Sequence, residues 1–182
     1  MFEPVDYDNI YIKEIAPDIL HSPFLTKAFC STLLDFARTF ENWTQNEHDI
    51  YSTHDLHLKK EAEAFYYIIE EALHEKLFPI VARWWETDAF EVSNMFIVKY
   101  SEDTQTGLKY HHDSSHISMS IKLNDDYEGG VLNWPHKDYD NSEVSIGDIL
   151  FWPSKVTHLH GTTPLTKGEK YAITIWTEEC TR

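Results

Sequence analysis

The feature that most restricts the fold is a change of hydrophobic period near residue 90: before it apolar residues recur every three or four positions, and after it they alternate. Residues 23–40 place Phe24, Ala28, Leu33, Phe36 and Phe40 at roughly helical spacing. Ser22 reads as the cap and Pro23 as part of the first turn, where its missing N–H costs nothing. Residues 58–86 put Phe65, Ile68, Ile69, Ala72 and Leu73 on one stripe with Glu61, Glu63, Glu70, Glu71 and Glu75 elsewhere, and Pro79 interrupts the pattern. From Phe90 the period is two, in segments 96–100, 116–123, 148–152 and 171–176. In a strand that spacing sends alternate side chains to opposite faces. Turn residues divide the segments at Asn124-Asp125-Asp126, Gly129-Gly130, Asp138 to Ser142, Gly147-Asp148 and Lys167-Gly168. The expectation is a mostly β fold with flanking helices, a sandwich or barrel. One domain spans 1–182, with helical support over about 23–86 and the strand core over about 90–177.

Charge narrows the partners. Fifteen Lys and Arg against 31 Asp and Glu give a net charge of −16, which repels phosphate backbones and anionic membranes. No nucleic-acid or membrane partner is expected, and no window approaches the roughly 20 apolar residues of a spanning helix. A 42% hydrophobic, 14% aromatic chain is not a disordered acidic tail. The start, Met1 to Asp8, has neither the basic nor the apolar region of a secretory signal, so cytoplasmic placement is expected. Cys30 and Cys180 lie far apart with no finger spacing and read as reduced thiols.

Six of the eleven histidines fall between 111 and 160. Two His-x-Asp triplets occur there. His111 and Asp113, at i and i+2 between two patterned strands, can share one strand face and look into the interior. His136 and Asp138 follow Pro135 in an Asp/Asn/Ser stretch and read as solvated loop residues. A third ligand can come from Thr157-His158-Leu159-His160, which offers two candidates. Two histidines and a carboxylate on one face of an octahedron suit non-haem iron(II); zinc catalytic sites favour sets richer in His or Cys. Lys170 opens the last strand, where alternation with Tyr171, Ile173 and Ile175 points it inward and leaves Lys167 outside. An inward cation on an apolar strand needs an anion to meet it, and a dicarboxylate cosubstrate supplies one.

These residues resemble the 2-oxoglutarate and Fe(II)-dependent dioxygenases, in particular the prolyl 4-hydroxylase and procollagen lysyl hydroxylase branch. The likeness is carried by Leu108 to Ser115, by Leu123-Asn124 with Asp126 to Gly130, and by Thr157 to His160 with Pro164, Gly168 and Lys170-Tyr171. Thr53-x-Asp55-Leu56-His57 and Lys76 to Pro79 are similar as well, so it covers nearly the whole chain. The resemblance implies a double-stranded β-helix, or jelly roll. It implies Fe(II) on His111, Asp113 and His160, the offset to Lys170 selecting His160 over His158, and Lys170 on the distal carboxylate of 2-oxoglutarate. Tyr100 and Ser120 fall where the family touches its cosubstrate. O2 is the second cosubstrate and ascorbate an auxiliary.

The implied reaction is hydroxylation of an unactivated C–H, on a lysyl or prolyl side chain in a peptide or protein. A small-molecule or free amino acid hydroxylase is the alternative, with a metal-binding module that is no enzyme as a third reading. Three departures bear on the substrate. The animal lysyl enzymes have Arg where Lys170 stands, their His-Glu-Gly is His160-Gly161-Thr162 here, and residues 43–52 hold no counterpart of an upstream Arg. Trp134, Trp152 and Trp176 are candidates to wall the pocket.

Overall fold

The computed structural model describes residues 3–45, 51–87 and 90–179. Strands β1 (Lys13–Ala16) and β2 (Ile19–Pro23) precede helix α1 (Lys27–Thr39). Strand β3 (His54–His57) leads into α2 (Leu58–Glu61), α3 (Glu63–Ala72), a π-helical turn at Leu73–Leu77 and α4 (Phe78–Trp84). The strand half comprises β4 (Phe90–Ser101), β5 (Leu108–His111), β6 (Ile117–Lys122), β7 (Tyr127–Gly129), β8 (Leu132–Trp134), β9 (Tyr139–Asp140), β10 (Asp148–Pro153), β11 (His160–Thr162) and β12 (Leu165–Glu179).

Two sheets result. The larger runs β1-β2-β10-β6-β12-β4-β3, with β7 also paired to β12, and the smaller runs β5-β11-β8-β9. This is the jelly roll with helices packed outside one sheet. The mostly β class is as expected from the period; β1, β2 and β3 are additional, since before residue 90 the sequence pattern predicts only the helices at 23–40 and 58–86. Their pairing explains them: β2 lies against β10 and β3 against β4, partners far away in sequence.

The same pairing moves the first helix. Ser22 and Pro23 belong to β2, opposite Ile149 and Asp148, so the cap is Thr26, whose hydroxyl accepts from Phe29 N at 3.2 Å. The buried stripe becomes Phe29, Cys30, Leu33, Leu34 and Ala37. Ala28 is exposed, while Phe36 and Phe40 pack at the edge of the core. Burial pushes the Cys30 thiol up to about 12, an inert group; Cys180 lies outside the described residues.

The 58–86 segment is broken twice. Ala62 leaves helical geometry (φ −151°), and Phe78 N bonds Leu73 O, closing a π turn just ahead of Pro79, which has no N–H to continue the ladder. Ile69, Ala72 and Leu73 of the expected stripe are buried, with Phe65 and Ile68 against them.

Strand parity sorts the larger sheet into two faces. Met95 and Ile97, then Ile117, Met119 and Ile121, Ile149 and Phe151, and Tyr171, Ile173 and Ile175 pack beneath the helices. Their alternate neighbours face the smaller sheet. At one end Leu150, Trp152, Leu132, Trp134, Ile19 and Val144 close the gap; at the other, Phe96, Val98, Tyr100 and Ala172 form an apolar wall. Between that wall and β5–β11 the sheets stay apart.

Candidate metal centre

The gap is a cavity of about 490 Å³, within the range of small-ligand sites. Strand β5 ends on His111 and β11 begins on His160, and the two residues are direct partners in the ladder. Ring centroids lie 4.5 Å apart. Asp113 is not on the strand, which stops at His111; the chain turns and brings the carboxylate back between the imidazoles. Asp113 Oδ1 lies 3.2 Å from His111 Nε2 and Oδ2 lies 3.4 Å from His160 Nε2. One ligand atom from each residue lies within 4.8 Å of the others.

Hydrogen bonds decide which ring nitrogens face the centre. His111 Nδ1 sits 2.8 Å from Lys109 O, and His160 Nδ1 sits 2.9 Å from His158 O. A carbonyl only accepts, so each Nδ1 carries the proton and each Nε2 turns a lone pair inward. Two imidazole lone pairs and a carboxylate converging on one point call for a cation. Burial alone would raise the Asp113 carboxyl; where protons occupy the two Nε2 positions in place of a cation, they and the Ser118 hydroxyl hold it well below the usual carboxylate range. Ser118 Oγ donates to Asp113 Oδ2 at 2.6 Å and lies 2.8 Å from Ser154 Oγ. Both serines are fully buried. The donor set therefore fits a divalent metal with open positions, the arrangement of non-haem iron(II).

Lys170 points inward as alternation requires and is 3% exposed. Its Nζ donates to Gly130 O at 2.7 Å and lies 5.3 Å from the ring centroid of Tyr100, its ladder partner on β4. Burial, with a smaller push from Lys122, lowers its pKa to about 7. Gly130 has φ +60°, and a Cβ there would come within 3.3 Å of Lys170 Cδ, so a side chain would crowd the lysine stem. Tyr100 is also buried, which raises its phenol above the ordinary range against the effect of a hydrogen bond with Thr162. Ser120 lines the same cavity and pairs with Thr174.

The remaining sequence candidates separate cleanly. His158 is buried but turned away, its Nε2 3.2 Å from Pro17 O and its Nδ1 2.8 Å from Thr157 Oγ1; it precedes β11 and so does not share a strand face with His160. Lys167 is exposed and pairs with Glu128 at 3.0 Å. His136 and Asp138 are exposed, as their loop setting implied. Trp152 and Trp176 line the cavity; Trp134 stands behind Trp152, ring centroids 5.0 Å apart.

Asp55 and His57 were given no role by the sequence, yet both line the cavity. Their i, i+2 spacing on a short strand was the available signal. Gly161 accounts for one departure from the lysyl pattern: a Cβ there would lie 2.8 Å from Leu108 O and 2.9 Å from Tyr110 Cδ1, so β5 leaves no room for a larger residue after His160.

The chain has counterparts in sequence and in fold among known proteins. Residues 95–178 match the family model of the 2OG-Fe(II) oxygenase superfamily. The multifunctional procollagen lysine hydroxylase and glycosyltransferase of Caenorhabditis elegans is 26% identical over 89% of this chain and 24% of its own length. Procollagen-lysine,2-oxoglutarate 5-dioxygenase 1 of Mus musculus is 28% identical over 85% of this chain and 23% of its own. The chain thus spans about a quarter of those relatives. Among solved structures, the viral collagen prolyl hydroxylase of Paramecium Bursaria Chlorella virus-1, in its 2OG complex, superposes with a TM-score of 0.68 at 15% identity, covering 90% of this chain and 97% of that one. A Pseudomonas putida prolyl-4-hydroxylase gives 0.61 at 15% identity, covering 90% and 94%. No helix among the described residues is long and apolar enough to cross a membrane. The strand half of the chain is thus similar to the 2OG-Fe(II) oxygenase superfamily, its His111, Asp113 and His160 set is consistent with Fe(II) and 2-oxoglutarate as cofactors, and the procollagen lysine hydroxylases are among its relatives in sequence.

Proposed function

We propose that the chain hydroxylates an unactivated C–H of a lysyl or prolyl side chain in a peptide or protein, with Fe(II) held by His111, Asp113 and His160. The observation that carries this reading is the inward-facing triad sharing one cavity with a buried, cavity-facing ammonium, Lys170. Bound together, the metal, 2-oxoglutarate and O2 supply an oxidative decarboxylation: 2-oxoglutarate, O2 and R–H become succinate, CO2 and R–OH.

The protein's own work is positioning. Carbonyls of Lys109 and His158 fix the ring tautomers, and Ser118 aims the Asp113 carboxylate. Lys170 receives the distal carboxylate of 2-oxoglutarate, with Tyr100 and Ser120 beside it. The Phe96, Val98 and Trp152 walls exclude water, which keeps the electrostatics of the site strong.

The test is succinate release from 2-oxoglutarate in the presence of Fe(II) and O2, with mass spectrometry of lysine and proline peptides and of the free amino acids for the gain of one oxygen atom. Modified peptides support the reading. Modification of free amino acids alone assigns a small-molecule hydroxylase, and the absence of succinate formation rejects the activity.

A further inference from the structure

The imidazole of His160 opens onto a line of oxidisable rings that leads out of the cavity. Trp152 meets it edge-on, ring centroids 5.1 Å apart, and Trp134 meets Trp152 in the same manner at 5.0 Å. Tyr139, the ladder partner of Trp134 on β9, follows at 5.7 Å and is partly exposed. Every step lies within the range of direct ring contact. Trp152 and Trp134 are 2% and 0% exposed, and the Nε1 of each is buried with no hydrogen-bond partner among the described residues. Such a group is costly, and phenylalanine in the same apolar cluster would carry none. The other rings beside the site form no such line. Trp176 next meets Phe96, whose phenyl ring is hard to oxidise, and Tyr51 stands against His111 at 5.0 Å.

Indoles and phenols give up an electron more readily than the other side-chain rings. An oxidised indole whose Nε1–H meets a base loses its proton and stalls as a neutral radical. With no partner at Nε1, Trp152 and Trp134 keep the charge free to move to the next ring, and at Tyr139 the phenolic proton has water to receive it. We propose that Trp152, Trp134 and Tyr139 form an electron path from the surface to the triad, used when 2-oxoglutarate and O2 react there with no C–H in reach. The inference rests on the proposed function for the source of the oxidising equivalents. Each passage moves one electron inward: Trp152 is oxidised at the cavity and refilled by Trp134, Trp134 is refilled by Tyr139, and Tyr139 loses its phenolic proton to water. A one-electron reductant in solution, such as a thiol, then restores Tyr139. Two passages, with two protons drawn from water, complete the balance: 2-oxoglutarate, O2, two electrons and two protons become succinate, CO2 and H2O.

Freeze-quench electron paramagnetic resonance tests it, with succinate measured in the same samples. In one arm, protein loaded with Fe(II) and 2-oxoglutarate under nitrogen is mixed with O2 and no peptide. In the other, hydrogen peroxide replaces 2-oxoglutarate and O2 and takes two electrons and two protons to become water, so no decarboxylation is needed. Wild type should give a tyrosyl radical in both arms. Tyr139→Phe, a change at a partly exposed ring, should lose that radical while oxygenated Trp134 and Trp152 rise several-fold in peptide mass spectra. Trp134→Phe, with its fold checked by circular dichroism, should lose the radical too and leave oxidation at Trp152. Tyr51→Phe should keep it. A radical that survives in Tyr139→Phe, one that vanishes in Tyr51→Phe, or none in the peroxide arm overturns the proposal. A radical with peroxide but no succinate with O2 strikes the proposed function alone, and succinate with no tyrosyl radical strikes the path alone.

Discussion

Ser118 Oγ stands 2.6 Å from Asp113 Oδ2, with Ser154 Oγ 2.8 Å behind it and Ser115 O 2.9 Å from Ser154. A hydroxyl has one proton to give, and the carboxylate has none, so Ser118 donates to Asp113, while the Ser154 proton goes to Ser115 O and its oxygen packs behind Ser118. The carboxylate between the histidines is thereby held from the rear by β6 and the end of β10. Ser118→Ala should weaken divalent-metal binding by about 10–100-fold, the usual cost of losing such a support. Metal titration followed by intrinsic fluorescence measures it, and unchanged affinity would mean that the turn after β5 fixes Asp113 unaided.

His160→Ala and Asp113→Ala should abolish both metal binding and succinate formation. Asp113 is buried beside two imidazoles, so its removal takes away the anion that they surround. Calorimetric metal titration with succinate assays is decisive; activity surviving in either variant would place the metal elsewhere.

Lys170 ties cosubstrate affinity to pH. Its folded pKa, about 7, lies below the unfolded value near 10.5, so between these limits the unfolded chain holds the extra proton. Stability without 2-oxoglutarate should therefore rise with pH from about 7 to 10.5. A dicarboxylate favours the protonated lysine, so 2-oxoglutarate should bind best at or below pH 7, weaken above it, and take up a proton on binding at pH 8. Calorimetry in buffers of different ionisation enthalpy detects that proton; its absence would remove Lys170 from the cosubstrate site.

Lys170→Met should separate stability from binding. Replacing a buried ammonium by an apolar chain of similar length should raise Tm at pH 7, by about 2–4 °C per kcal/mol gained. The same change should cost about a hundredfold in 2-oxoglutarate affinity, since the charge-assisted bond is lost. Thermal melts with and without 2-oxoglutarate would read both effects, and a lower Tm without ligand would show that the Gly130 and Tyr100 contacts outweigh burial.

Gly161→Ala should push β11 from β5, because its Cβ would meet Leu108 O at 2.8 Å. The His111–His160 pair sits in that ladder, so metal affinity should fall with little loss of helix. Circular dichroism beside metal titration distinguishes this from general unfolding.

Local alternation carried much of the site. Lys170 could be pointed inward because its own strand alternates, and the triplet around His111 named two of three triad members. What the sequence hid depends on chain partners far away. Ser22 reads as a helix cap until β10 takes it into a sheet, and Asp55 gains a face only when Val98, some forty residues on, lies beside it. Asp113 reached the centre through a turn rather than a strand, so the right residue came from geometry that i, i+2 spacing does not describe. The tautomers fixed by Lys109 O and His158 O need coordinates, since nothing in a residue type says which carbonyl its ring will meet.

The two faces of the larger sheet also divide what the chain can change from what it must keep. Over residues 95–100 of β4, 117–122 of β6, 149–152 of β10 and 170–176 of β12, the odd-numbered residues lie under the helices and the even-numbered ones look toward the smaller sheet. A substitution at Phe96, Thr174 or Trp176 rewrites which molecule is admitted, while one at Ile97, Ile173 or Ile175 touches whether the chain folds. Because the two sets interleave along the same strands on opposite faces, selection can retune the range of substrates by point changes and leave the packed core as it was. A slip of one position in β12 would forfeit both at once, by trading Lys170 for Tyr171.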